Sequence, residues 1–170
     1  MKREWALLVY KIPPHPTRLR AQVWRNLQRC GAIYLQNSVC IVPATSELAE
    51  NMQWIADEIR DMDGEAFLFR ATATSPAQEV QIERLFGAAS RPQAVKLVEA
   101  LRGLERRLRR SAAPEAVAQA EDELRRIRQA ALKLRLRSHF PAPEEEALHR
   151  RLRAVRDRVE RRTLRPAGRR

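Results

Sequence analysis

From Val117 to Leu134 the apolar residues Val117, Ala120, Leu124, Ile127, Ala131 and Leu134 recur at spacings of 3, 4, 3, 4 and 3. A strand alternates faces every second residue, so this period dictates a helix with one dry stripe. The stripe has counterparts on both sides: Leu97, Leu101, Leu104 and Leu108 before it, and Leu148, Leu152, Val155 and Val159 after it. Helices of this kind must cover their stripes. The breaks between them, Ser111 to Pro114 and Pro141-Ala142-Pro143, are short, which predicts antiparallel packing in a helical hairpin or small bundle. A coiled-coil dimer would bury the same stripes. Residues 77–86 read as a separate short helix ended by Gly87, with Pro92 shortly after. Glu144, Glu145 and Glu146 open the last helix at the positive end of its dipole, and residues 164–170 are expected to be a disordered tail.

The first seventy-five residues obey a different period. Trp5 to Tyr10 is a short apolar run closed by Pro13-Pro14, the pattern of a buried strand. Leu19, Val23, Leu27 and Cys30 then mark a helix stopped by Gly31. Two strands, residues 32–36 and 39–42, flank Asn37-Ser38 as a tight hairpin. A helix capped by Thr45 or Ser46 carries Leu48, Met52, Ile55 and Ile59 and stops at Asp63-Gly64. Residues 65–74 form the last strand, with Phe67 and Phe69 on one face and Ala66 and Leu68 on the other. The fold class is therefore α+β: a ferredoxin-like βαββαβ domain over residues 1–75, then an all-α arginine-rich region over residues 76–163.

Charge divides at the same place. Residues 1–75 hold 9 Lys/Arg against 8 Asp/Glu, whereas residues 76–170 hold 24 against 13. A net +11 in one half suggests a polyanionic partner, nucleic acid first and an anionic membrane surface second. No run approaches a bilayer span, and the basic start Met1-Lys2-Arg3 is followed by Glu4 and too short an apolar segment for export, so a cytoplasmic protein is expected. Two cysteines, Cys30 and Cys40, outside any CxxC, fit a reducing compartment and half-buried thiols.

The candidate DNA-binding residues are Arg106, Arg107, Arg109 and Arg110 at one helix end, Arg125, Arg126, Arg128, Lys133, Arg135 and Arg137 along the next, and Arg150, Arg151 and Arg153 on the last. Arginine's planar fork donates two parallel hydrogen bonds to phosphate oxygens. The competing reading is a solvated face laced by pairs such as Glu121 with Arg125 and Glu123 with Arg126. The helix carrying Trp24 could enter a DNA groove, or Trp24 could pack on the sheet. His15, His139 and His149 lack zinc-ligand spacing, and no phosphate loop, nucleophile elbow or close carboxylate pair is present.

These residues also carry a resemblance. Arg20, Trp24, Arg25, Leu27, Gly31 and Ala32 follow the "R-x-x-x-W-R-x-L-x-x-x-G-A" helix of the ChrB N-terminal domain, and Val39, Val42 and Pro43 its "V-x-x-L-P" strand, with valine for leucine. Ser138-His139-Phe140-Pro141 is similar to the family's "D-x-F-P" segment, with serine in place of the acid. The likeness covers about residues 5–160 and implies a stand-alone module. It implies a repressor of a chromate-efflux operon that binds DNA and lets go when chromate is present, with Arg18, Arg20 and Arg25 as candidate residues for chromate or another oxyanion. More distantly the first domain resembles those of PaaX-type repressors and CRISPR adaptation nucleases. The nucleases place a metal-binding Asp where Lys11 stands here, and a cation there repels a divalent metal.

The expectation is thus a cytoplasmic, non-enzymatic, chromate-responsive DNA-binding regulator without cofactor or metal, able to form a homodimer and not a membrane protein. The alternative is a structural or adaptor protein that oligomerises through its heptad-striped helices.

Overall fold

The computed structural model describes residues 3–15, 17–111 and 113–163; the expected disordered tail, residues 164–170, lies outside them. The chain divides into two compact units, Met1–Phe86 and Gly87–Arg170.

In the first unit four strands, β1 (Glu4–Lys11), β2 (Ile33–Gln36), β3 (Val39–Pro43) and β4 (Glu65–Thr72), form one sheet in the order β2-β3-β1-β4. Every pairing is antiparallel. Two helices, α1 (Thr17–Arg29) and α2 (Ser46–Asp61), complete the βαββαβ order that the alternation of periods predicts. Strand residues of one parity, Ala6, Leu8, Cys40, Val42 and Ala66, form a core with Val23 and Leu27 of α1 and Met52, Ile55, Ala56 and Ile59 of α2. On the other parity Trp5 is buried and stacks on Phe86 at 5.7 Å, while Phe67 and Phe69 stay half-exposed.

Local chemistry ends these elements where the sequence says it should. Gly31 after α1 has φ 67°, a conformation that costs glycine nothing. The Thr45 hydroxyl accepts the Leu48 N–H at 3.3 Å, capping α2. After α2 it is Asp63, at φ 58°, that turns the chain. Gly64 matters for space instead: a Cβ there would lie 2.7 Å from both the Ile59 and Lys11 carbonyl oxygens.

The helices beyond β4 correct one expectation. The break foreseen at Gly87 is absent, and α3 runs unbroken from Pro76 to Arg110, 35 residues with Pro92 inside. A proline in a helix forfeits one hydrogen bond and crowds the preceding turn, at about 3 kcal/mol. Here Ala88, whose carbonyl loses that partner, is exposed, as is Pro92, so water can satisfy the freed oxygen. Buried side chains on the opposite side, from Ala94 through Leu97 to Leu101, outweigh the local loss.

In the second unit the later part of α3 joins α4 (Pro114–Arg137) and α5 (Pro143–Thr163) around one core. Its members are the stripes themselves: Leu97, Leu101, Leu104 and Leu108; Ala120, Leu124, Ile127, Ala131 and Leu134; Leu148, Val155 and Val159. Cross-helix polar contacts give the directions. Arg107 meets Glu123 and Arg137 meets Gln93, so α3 and α4 are antiparallel. Arg91 meets Glu144 and Arg162 meets the Leu108 carbonyl, so α3 and α5 are parallel. The result is a three-helix up-down-up bundle, the small bundle that short connections favour.

Candidate nucleic-acid interface and ligand groove

Positions along α4 advance about 100° per residue, so Arg128 and Arg135, seven apart, share one line beside the buried stripe. Together with Arg125, Gln129, Leu132, His149 and Leu152 they line a hollow of about 390 Å³ between α4 and α5, and no carboxylate lines it. Arg125 pairs with Asp122 at 3.3 Å. Arg126 and Lys133 are exposed on the far side of the same helix.

The thirteen candidate cations thus fall into groups. Arg107, Arg125, Arg150 and Arg151 pair with Glu123, Asp122, Glu146 and Glu105, and Arg137 donates to Gln93. Among the described residues the other eight, Arg106, Arg109, Arg110, Arg126, Arg128, Lys133, Arg135 and Arg153, have no ion-pairing carboxylate. Helix-surface pairs of the solvated-face kind do form at Arg125–Asp122 and Arg150–Glu146, but the two pairs named from the sequence do not. Glu123 reaches across to Arg107 instead of Arg126, and Glu121 accepts from the Thr163 hydroxyl rather than pairing with Arg125.

Two of the bundle's acids are turned inward. Glu105, 9 % exposed, accepts both the Nε and the terminal nitrogen of Arg151 at 3.1 Å and faces Arg158 at 3.8 Å. Glu145, 2 % exposed, accepts from the Ser90 hydroxyl at 2.5 Å, the Ser138 hydroxyl at 2.8 Å and the Ala142 N–H at 3.1 Å. The last of these is half of a capping box at the start of α5. Ser138, which stands where the resembling motif has an acid, is therefore a donor to a buried carboxylate.

The first unit offers a concave site of another kind. A groove of about 860 Å³ lies at the end of the sheet, lined by Tyr10 and Lys11 of β1, Thr17, Arg20 and Trp24 of α1, Tyr34 of β2, and the Asn37-Ser38 turn. Arg20 and Trp24 are one helical turn apart and off the Leu19–Val23–Leu27 stripe, which is why both reach the groove. Trp24 remains 54 % exposed, so it does not pack into the sheet. The Tyr10 and Tyr34 hydroxyls hydrogen-bond at 2.9 Å. Burial, then that hydrogen bond, pushes the Tyr34 phenol above its ordinary range, and burial also raises Tyr10. Of the three arginines proposed for an oxyanion, only Arg20 lines this groove; Arg18 and Arg25 are exposed elsewhere on α1.

The thiols take no part. Burial, followed by the nearby Cys30, pushes Cys40 up to about 12, and burial likewise raises Cys30, so both stay protonated at neutral pH. Among the described residues no three of His, Cys, Asp and Glu gather closely enough to hold a metal ion, and no helix is long and apolar enough to cross a membrane.

Sequence reasoning missed the contributions of Lys11, Tyr10, Tyr34 and His149, which come from β1, β2 and α5 and share no motif. Only the Arg20–Trp24 interval could have announced the groove. Compared with known proteins, residues 20–165 match the family model described as Protein ChrB, N-terminal. No curated protein matches the chain.

Proposed function

The chain belongs to the ChrB N-terminal family and is a chromate-resistance-related regulatory protein; from that premise we propose that it is a cytoplasmic, non-enzymatic DNA-binding repressor module that responds to chromate. The observation that carries the DNA-binding part is the carboxylate-free hollow with Arg128 and Arg135 on one line and Arg125 and His149 beside them. Guanidinium groups two turns apart on one helix can follow successive phosphates and release their counterions. Contacts of this sort position the protein on a duplex and supply affinity, while base contacts supply sequence preference. In the first unit Arg20 beside Lys11 is the place where positive charge and a concave surface coincide for an oxyanion.

The adaptor reading loses its motive force. Its heptad stripes are already buried within one chain, so they do not call for a second copy. Fluorescence anisotropy with the chain's own upstream duplex across a salt series tests the regulator. The expected result is binding tighter than to a scrambled duplex, weakening steeply with salt and reversed by chromate. Equal binding to both duplexes at every salt concentration would remove the regulator reading.

A further inference from the structure

The groove of the first unit is too large for the ligand that the regulatory reading assigns it. A tetrahedral oxyanion needs the room of a few waters, each about 30 Å³, whereas the groove offers about 860 Å³. That volume lies in the range of small-molecule sites, about 300–1,000 Å³. Its walls differ in character. Arg20 and Lys11 supply two positive charges, Trp24 supplies a half-exposed indole, and Thr17, Asn37 and Ser38 supply short polar side chains. Arg20 has no carboxylate partner among the described residues, and Lys11 has only a loose, exposed one, Glu65 at 3.8 Å. One of the Tyr10 and Tyr34 hydroxyls donates to the other, so the phenols form a floor that keeps one O–H to offer an occupant.

A large aromatic side chain left half in water beside an unpaired guanidinium is costly in a core and useful in a site. Indole faces stack on flat heteroaromatic rings whatever their sequence identity, and the guanidinium fork matches phosphate. We infer that this groove binds a nucleoside monophosphate, free or as one unit of a single strand, with its base on Trp24 and its phosphate held by Arg20 and Lys11. Chromate, a dianion of similar shape to phosphate, competes at the cationic part of the groove and leaves Trp24 uncovered. The site is separate from the arginine hollow of the bundle, so it stands or falls independently of duplex binding.

Fluorine NMR on the full chain labelled with 5-fluorotryptophan reads the site directly. The chain has three tryptophans, and Trp24→Phe identifies the resonance that matters. AMP is expected to shift the Trp24 resonance saturably while those of Trp5 and Trp54 stay put. Adenosine, which lacks the phosphate, should bind about tenfold more weakly or worse, and Arg20→Gln should weaken AMP by a similar factor. Arg18→Gln, outside the groove, should change nothing. Oligo(dT) titrated alongside AMP distinguishes the two sources: tighter binding by the strand assigns the groove to single-stranded nucleic acid, tighter binding by AMP to a free nucleotide. The inference is overturned if neither moves the Trp24 resonance, if Arg20→Gln leaves the titration unchanged, or if inorganic phosphate or chromate alone binds as tightly as AMP. The last outcome would mean a bare oxyanion site. None of these readouts involves duplex DNA, so loss of the regulator reading would leave them intact.

Discussion

Both units close an apolar core, yet they dispose of their charges in opposite ways. In the sheet unit the side chains not needed for packing pair off locally: Asn26 donates to Glu58 at 2.8 Å, Arg70 pairs with Glu4 at 2.9 Å, and Arg60 donates to the Ala66 carbonyl at 3.0 Å. What remains is a groove, shaped by a handful of side chains. In the bundle the carboxylates are used between helices, by Glu105 with Arg151 and Arg158, by Glu123 with Arg107 and by Glu145 with two serines. The acids that stay outside, such as Asp122 beside Arg125 and Glu146 beside Arg150, offset the arginine excess only in part. Recognition in the first unit is thus a matter of shape, and in the second a matter of uncompensated charge.

The parity of the two cores can be broken first. Leu8 and Leu101 are both fully buried, one in each, so Leu8→Ala and Leu101→Ala should each cost about 2–5 kcal/mol in urea unfolding. A loss below about 1 kcal/mol at either would show that core to be loose. The use of buried acid comes next. Glu145→Ala strands two hydroxyls and an N–H and should cost about 2–3 kcal/mol by thermal unfolding followed by circular dichroism. Glu145→Gln, which keeps an accepting oxygen, should recover part of that.

The contrast in recognition is sharpened by a pair of double variants. Arg128→Gln with Arg135→Gln should weaken duplex binding about tenfold to a hundredfold and flatten the salt dependence by about 2 in log–log slope. Arg18→Gln with Arg25→Gln, on the sheet unit, should leave both nearly unchanged. The smallest effect is alkaline. Between pH 9 and about 12 the unfolded chain has lost the Cys40 proton, whose ordinary value is 9.0, while the folded chain still holds it. Stability of the sheet unit therefore falls as pH rises through that window. Cys30, Tyr10 and Tyr34, all raised, push the same way. Cys40→Val should make the decline shallower when unfolding is followed by tryptophan fluorescence, which reports this unit alone because Trp5, Trp54 and Trp24 all belong to it. The bundle, with neither Cys nor Tyr beyond residue 86, lacks this dependence.

Period and punctuation were enough to read the topology. Leu19–Val23–Leu27, the Asn37-Ser38 turn and the Val117–Leu134 stripe each specify one element. The reading failed at Gly87 and Pro92, where residues that normally end helices lie on a wet side and burial on the dry side prevails. For function the limit was different. Arginine-rich helices were visible, but which guanidinium meets which carboxylate depends on neighbouring helices: Glu123 looked like a partner for Arg126 and proved to belong to Arg107. The groove was harder still, since Tyr10, Arg20 and Tyr34 are brought together only when α1 lies beside β1 and β2.

The up-down-up course of the bundle gives its two ends unequal electrical loads. Two helices, α3 and α5, finish at the same end, where only α4 begins, so the peptide dipoles leave that end with an excess of about half a negative elementary charge. Arg107, Arg109 and Arg110 lie in the last turn of one finishing helix and Arg161 and Arg162 in that of the other, and Arg162 donates to the Ser111 carbonyl at 3.0 Å. These cations are partly spent on the backbone that ends beneath them. Arg128, in the body of α4, escapes that demand, whereas Arg135 lies in the last turn of its own helix, so a phosphate chain meets the least diminished charge at Arg128.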